Sequence, residues 1–144
     1  MATRTADRVE ALAALRLLEH CTRRDLTALA RIGVDEAFPR GSVLTREGQT
    51  GGLAYVVLEG CAVARRSGRR IGELGPGAVV GELSVIDGGP RTATVTAETE
   101  LRALAIDGAE LRKVLDRSPR LTAALLRTLA ERIREADRRV DLRA

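Results

Sequence analysis

The chain has 144 residues, 44% hydrophobic and 31% charged, which suits one soluble globular domain with a single core. No apolar run nears the roughly 20 residues of a membrane span. Residues 1–8 hold no apolar signal-peptide core, so a cytoplasmic protein with no membrane partner is expected.

The net charge of +4 invites a nucleic-acid reading, but the pattern argues against it. Lys113 is the only lysine, and the arginines alternate with acids, as in Glu131-Arg132-Ile133-Arg134-Glu135. One Tyr, one Phe and no Trp leave almost nothing on which bases could stack. Cys21 and Cys61 lack CxxC spacing and read as two reduced thiols. His20, the only histidine, stands beside Cys21, and two ligands do not make a zinc site. No metal and no cofactor is expected.

Residues 6–18 carry Val9, Leu12, Ala13, Leu15 and Leu17 at roughly helical spacing. Thr22 can cap a second helix, with Asp25 three residues on as a short-armed capping box, and Gly33 can end it. From Val34 the pattern becomes short strands split by turns: 34–38, 42–46, 53–58, 61–66, 69–74 and 78–80. The stretch 53–58 is apolar enough to be buried on both faces. Further strands are predicted over 91–97 and 100–106. Thr92, Thr94 and Thr96 alternate there with Ala93, Val95 and Ala97. Strands of this length and spacing argue a jelly-roll-like barrel or sandwich. A short helix follows over 108–116. Ser118 and Pro119 then cap and open a longer one. On it, Leu126, Leu129, Ile133, Ala136 and Val140 step by three and four, an a/d seam over about two heptads. That stripe can pack on its own domain or pair with a second copy, and a homodimer through it is expected.

The segment 80–95, V-G-E-L-S-V-I-D-G-G-P-R-T-A-T-V, concentrates the chemistry. Gly81 permits close backbone approach. Residues 82–86 suffice for about one helical turn, whose first N–H groups lack internal partners and suit an anion. Asp87-Gly88-Gly89-Pro90 reverses the chain, and Arg91 can bind a phosphate with two parallel hydrogen bonds. The Glu82 carboxylate can only accept, as from a sugar hydroxyl.

This set resembles the phosphate-binding cassette of the cyclic nucleotide-binding domain family, roughly F-G-E-[LI]-[AGS], a variable turn, then P-R-[TSA]-A-x-[VI]. Gly81, Glu82, Leu83, Ser84, Pro90, Arg91, Thr92, Ala93 and Val95 match, while Val80 stands where the family has an aromatic residue. The similarity runs from about Leu12 onward. It implies a mainly β fold: an eight-stranded antiparallel β-roll over 34–106, N-terminal helices over 6–33, and a C-terminal helical lid over 108–142, all in one domain of residues 1–144. It implies that Glu82 takes the ribose 2′-OH and Arg91 the cyclic phosphate. The N–H groups of Leu83, Ser84 and Ala93 would complete the cradle, and Thr92 would bond phosphate or base. Gly72 falls near where cGMP-selective kinases place an arginine, so cAMP is favoured over cGMP. Arg132 aligns near a base-stacking lid position; a surface role beside Glu135 stays equally open.

The implied function is a regulatory module that binds cyclic nucleotide, moves its final helix and acts on an unknown protein partner in trans. The alternatives are the effector half of a DNA-binding transcription regulator lacking its helix-turn-helix, and a degenerate β-roll used as an interaction scaffold. Only four residues follow Val140, so direct DNA binding by this chain alone is not expected. An enzyme is not expected either, since no Ser-His-Asp set or metal cluster surrounds His20.

Overall fold

The computed structural model describes residues 4–143, except the side chains of 82, 83 and 139–143. Helix α1 (Thr5–Ala13) is followed by a 3₁₀ turn (Arg16–Leu18) and helix α2 (Arg23–Ile32). The expected single helix over 6–18 therefore breaks after Ala13. Leu15 turns to an extended conformation, and both Leu15 and Leu18 become buried. Thr22 and Asp25 form the expected capping box at the start of α2. Gly33 ends α2, but in extended rather than left-handed backbone. A Cβ there would run into Leu104, so this glycine serves close packing instead of a helix cap.

Eight antiparallel strands follow: β1 (Gly33–Phe38), β2 (Val43–Thr45), β3 (Leu53–Glu59), β4 (Ala62–Arg66), β5 (Arg69–Leu74), β6 (Val79–Val80), β7 (Thr94–Ala97) and β8 (Leu101–Asp107). They make two four-stranded sheets, ordered β1-β8-β3-β6 and β2-β7-β4-β5. Helix α3 (Glu82–Asp87) lies between β6 and β7, and α4 (Gly108–Arg117) and α5 (Pro119–Arg143) follow β8. The strand expected over 91–97 begins only at Thr94, because Arg91 is turned inward and bonded to the β2–β3 turn.

Strands β3 and β8 are buried on both faces, as the apolar run 53–58 foretold. Ala54, Val56, Leu58, Leu104 and Ile106 face the helices, where they join Val9, Leu12, Leu26, Leu29, Leu111 and Leu121. Tyr55, Val57, Ala103 and Ala105 face into the roll and meet Ala62, Ala64, Val80, Ala93 and Val95. The helices thus form a second layer on one sheet, held by burial of apolar area. Arg8 adds a polar tie. Its guanidinium donates to the Ala30 and Gly33 carbonyls at the end of α2 and pairs with Asp35 at 3.1 Å.

The seam on α5 is only partly covered. Leu121 and Ala124 are buried, whereas Leu126 and Ile133 are 61% and 62% exposed. Leu129 is half-buried, and the side chain of Val140 lies outside the described residues.

Asp25 carries a pH-dependent share of stability. Burial is the largest single influence on its carboxyl and alone would raise its pKa. Hydrogen bonds from Ser118 and Thr22, with the charge of Arg120, outweigh that and hold it below the ordinary carboxylate value. The contribution is therefore present above about pH 4 and is lost as pH falls through the folded value. By thermal denaturation, Asp25→Ala is expected to melt about 3–5 °C below wild type at neutral pH. That gap should close on acidification below about pH 4; a gap that widens there contradicts the assignment.

Candidate functional site

Arg91 is the one buried cation among the described residues, 8% exposed. Its backbone is clasped by the β2–β3 turn: Gly48 N–H donates to the Arg91 carbonyl and Arg91 N–H to the Gln49 carbonyl, both at 2.9 Å. Its guanidinium donates through Nη1 to the Gly81 carbonyl at 3.2 Å and through Nη2 to the Leu53 carbonyl at 2.7 Å. No described carboxylate forms an ion pair with it.

Two glycines make room for this group. A Cβ on Gly51 would come within 2.5 Å of Nη2, and one on Gly81 would overlap Nη1. Gly81 also sits at φ 82°, the left-handed conformation that side chains resist. Gly81 thus starts α3 and houses the guanidinium at once. Val85 N–H makes the first intrahelical bond, to the Gly81 carbonyl, which leaves the earlier amides of α3 without an intrahelical acceptor.

Of the other cassette residues, Ser84 and Ala93 are buried and Thr92 is exposed. The Thr92 carbonyl accepts from Arg66 Nε, and the Ala93 carbonyl from Thr45 Oγ1. The side chains of Glu82 and Leu83 lie outside the described residues. A polar cleft of about 490 Å³ runs along β2, walled by Arg46, residues 49–51 and Arg91. Its volume suits a small molecule. Among the expected site residues whose side chains are described, only Arg91 lines it.

The roll interior holds two polar groups that sequence reasoning missed. Tyr55 packs edge-on against Phe38, with ring centroids 5.6 Å apart. Its phenol is pushed up first by burial and then by the charge of Glu36, with Arg91 pulling it back. Glu36 Oε2 is buried with no hydrogen-bond partner among the described residues. The alternation of β1, with Phe38 inside, was the available signal that Glu36 points inward.

Arg132 of α5 reaches back to the Val79 carbonyl of β6, just ahead of Gly81. Burial holds its guanidinium below the usual arginine value, opposed by Glu135. It is thus half-buried against the strand that leads into the cassette rather than a wholly exposed surface group. His20 is exposed beside Glu19, and no group of three or more His, Cys, Asp or Glu suited to a metal occurs among the described residues. Cys21 and Cys61 are free thiols. No helix among the described residues is long and apolar enough to cross a membrane.

The roll thus encloses a buried arginine housed by two glycines, and comparison with known proteins says which family builds this arrangement. The cyclic nucleotide-binding domain family matches residues 35–118, and the chain belongs to that family. It is 38% identical over 105 residues to a CRP-like cAMP-activated global transcriptional regulator of Mycobacterium tuberculosis, covering 69% of this chain and 47% of that protein. The catabolite activator protein of Thermus thermophilus superposes with a TM-score of 0.79 at 28% identity, over 88% of this chain and 62% of that one. The N-terminal domain of a transcriptional regulator from Streptomyces coelicolor gives a TM-score of 0.67 at 36% identity, over 88% and 92%. The chain spans about half or less of the length of the curated relatives it matches.

Gly51→Ala must displace the guanidinium while keeping an allowed backbone, whereas Gly81→Ala adds φ strain to the overlap. In urea denaturation Gly81→Ala is expected to lose about 1–3 kcal/mol, and Gly51→Ala less. Equal losses would show that backbone strain at Gly81 contributes nothing.

Proposed function

We propose that this chain is a receptor for a cyclic nucleotide, with cAMP favoured over cGMP, and that its loaded form acts on a partner protein in trans. The observation that carries the reading is Arg91: a buried cation that donates to neutral carbonyls, beside the first amides of a helical turn, which have no intrahelical acceptor. A buried charge is costly, and no carboxylate among the described side chains pairs with this one, so a phosphate arriving there is strongly favoured.

In this reading Arg91 takes the phosphate together with the amides of Leu83, Ser84 and Ala93, Thr92 bonds phosphate or base from the rim, and Glu82 takes the ribose hydroxyls. Gly72 has open space around it and no side chain with which to read a guanine, which supports cAMP. Arg132, lodged on Val79, supports α5 as a lid over the base. Ligand moves the lid only by its differential affinity for the two positions. No catalysis is assigned. Two free thiols agree with a reducing, cytoplasmic setting.

A second reading, the effector portion of a DNA-binding regulator, is favoured by the similarity to the mycobacterial transcriptional regulator. A gel shift of the purified chain with ligand separates the two: sequence-selective DNA binding supports the second.

Calorimetric titration with cAMP and cGMP tests the receptor. Micromolar or tighter binding of cAMP, and weaker binding of cGMP, is expected. Arg91→Ala should lose roughly 2–5 kcal/mol of binding and Glu82→Ala less. No heat with either nucleotide and an unchanged melting temperature would leave a scaffold role instead.

Leu126 and Ile133, one heptad apart and exposed on α5, further support a homodimer through that helix. Sedimentation at tens of micromolar is expected to show a dimer for wild type and a monomer for Leu126→Glu/Ile133→Glu. A wild-type monomer with and without cAMP rules the dimer out.

A further inference from the structure

The polar cleft along β2 holds chemistry that the cassette does not use. Arg46, Gln49, Thr50 and Arg91 line it with donors to spare. Arg46 is exposed, and neither it nor the side chains of Gln49 and Thr50 form a hydrogen bond or ion pair among the described residues. The hydroxyls of Ser42 and Thr45, also in the cleft, are already committed to the Pro39 and Ala93 carbonyls. No carboxylate among the described residues lines it. The carboxylate next in sequence to Arg46, that of Glu47, accepts from the Ser67 N–H at 2.8 Å instead.

Arg91 stands between the cleft and the cassette. A Cβ on Gly51, a cleft residue, would lie 2.5 Å from Nη2 and 2.8 Å from Nε, whereas one on Gly81, which opens α3, would overlap Nη1. The two edges of one guanidinium thus lie against two different walls. Arginine carries N–H donors on all three of these nitrogens. Backbone carbonyls take one from Nη1 and one from Nη2, and Nε has no acceptor among the described residues. Gly81, Ser84, Thr92 and Ala93 of the cassette do not line the cleft, so the two places are distinct.

The donor set selects the anion. Two guanidiniums in one cleft repel each other until an anion joins them. A cyclic phosphate is a diester with a single negative charge. A phosphate monoester or free phosphate carries about −1.5 to −2 at neutral pH and offers three strong acceptor oxygens. Two cations, a carboxamide and a hydroxyl match that dianion better. The volume of about 490 Å³ leaves room for a small organic group beside the phosphate.

We propose that the β2 cleft is a second anion site, which takes a phosphate dianion, free or as the monoester of a small molecule, on Arg46, Gln49 and Thr50, with Arg91 shared between it and the cassette. The site itself stands on the cleft; its effect on cyclic nucleotide rests on the receptor reading. Both anions draw on one guanidinium and repel each other across it. Filling the cleft therefore weakens binding at the cassette, and by linkage the reverse holds.

The probes are inorganic phosphate and phenyl phosphate, a monoester with no nucleoside, titrated calorimetrically into the full chain in chloride buffer at fixed ionic strength. Saturable binding of at least one, near or below millimolar, is expected. Equal affinities assign recognition to the phosphate alone, and tighter phenyl phosphate assigns it to a monoester. Arg46→Gln should weaken the probe roughly tenfold. Arg31→Gln, which removes an exposed charge from α2, should stay within about twofold. Saturable binding of neither probe, or equal losses in the two variants, overturns the site.

The tighter probe, held at about ten times its Kd, should weaken cAMP binding roughly three- to fivefold in wild type and less than about twofold in Arg46→Gln. Unchanged cAMP affinity in wild type overturns the sharing of Arg91. A weakening that keeps growing in proportion to probe concentration means competition for the cassette itself and overturns the separate site. If wild type binds no cyclic nucleotide, the receptor reading fails, and the loss of probe binding in Arg46→Gln still decides the cleft.

Discussion

The structure depends most on the burial of one guanidinium. Arg91 sits inside the domain with its charge directed at two backbone carbonyls, and this is tolerable only because several elements give way to it. Gly51 and Gly81 omit side chains that would occupy its space. The β2–β3 turn wraps its backbone, and Gly52 in the same turn accepts from Gly108 N–H, where α4 begins. A single turn thus touches the buried cation and the root of the C-terminal helices, and the strand that would have begun at Arg91 is shortened to start at Thr94.

Around that cation the packing is built from short side chains. The interior of the roll is lined mainly by Ala and Val, with Tyr55, Leu44 and Leu101 as its larger buried members and Phe38 against them. Most of the leucines lie on the other face, where β3 and β8 meet the helices. The division has a mechanical consequence. The helices are held to the roll by apolar contact at their roots, while the outer length of α5 keeps Leu126 and Ile133 in solvent and reaches the roll through the polar contact of Arg132 with Val79. Apolar burial is non-directional, whereas a hydrogen bond such as that of Arg132 depends on geometry and contributes little net stability.

The strands were readable because their turns are chemically marked: glycine, proline and serine fall between apolar runs that a β-roll needs to bury. The capping box at Thr22 and Asp25 and the Ser118-Pro119 start of α5 were readable for the same reason, since each is a local bond between neighbours in sequence. The break after Ala13 was not. Nothing local stops the helix there; burial of Leu15 and Leu18 against the sheet does. Likewise the cassette's residue types were legible, but the partners of Arg91 come from Leu53 and Gly81, separated by 38 and 10 residues.

By itself the sequence determined the fold class, the order of the elements, the family and the residue types of the cassette, because periodicity, turn chemistry and motif are properties of neighbouring residues. Only the tertiary structure decided that Gly51 shares the work of Gly81, that Tyr55 lies near the charges of Glu36 and Arg91, that Leu126 and Ile133 of the α5 seam face solvent, and that Asp25 serves two helices at once. These depend on side chains brought together across up to 93 residues of chain, a closeness set by packing the two sheets and the helices into one core.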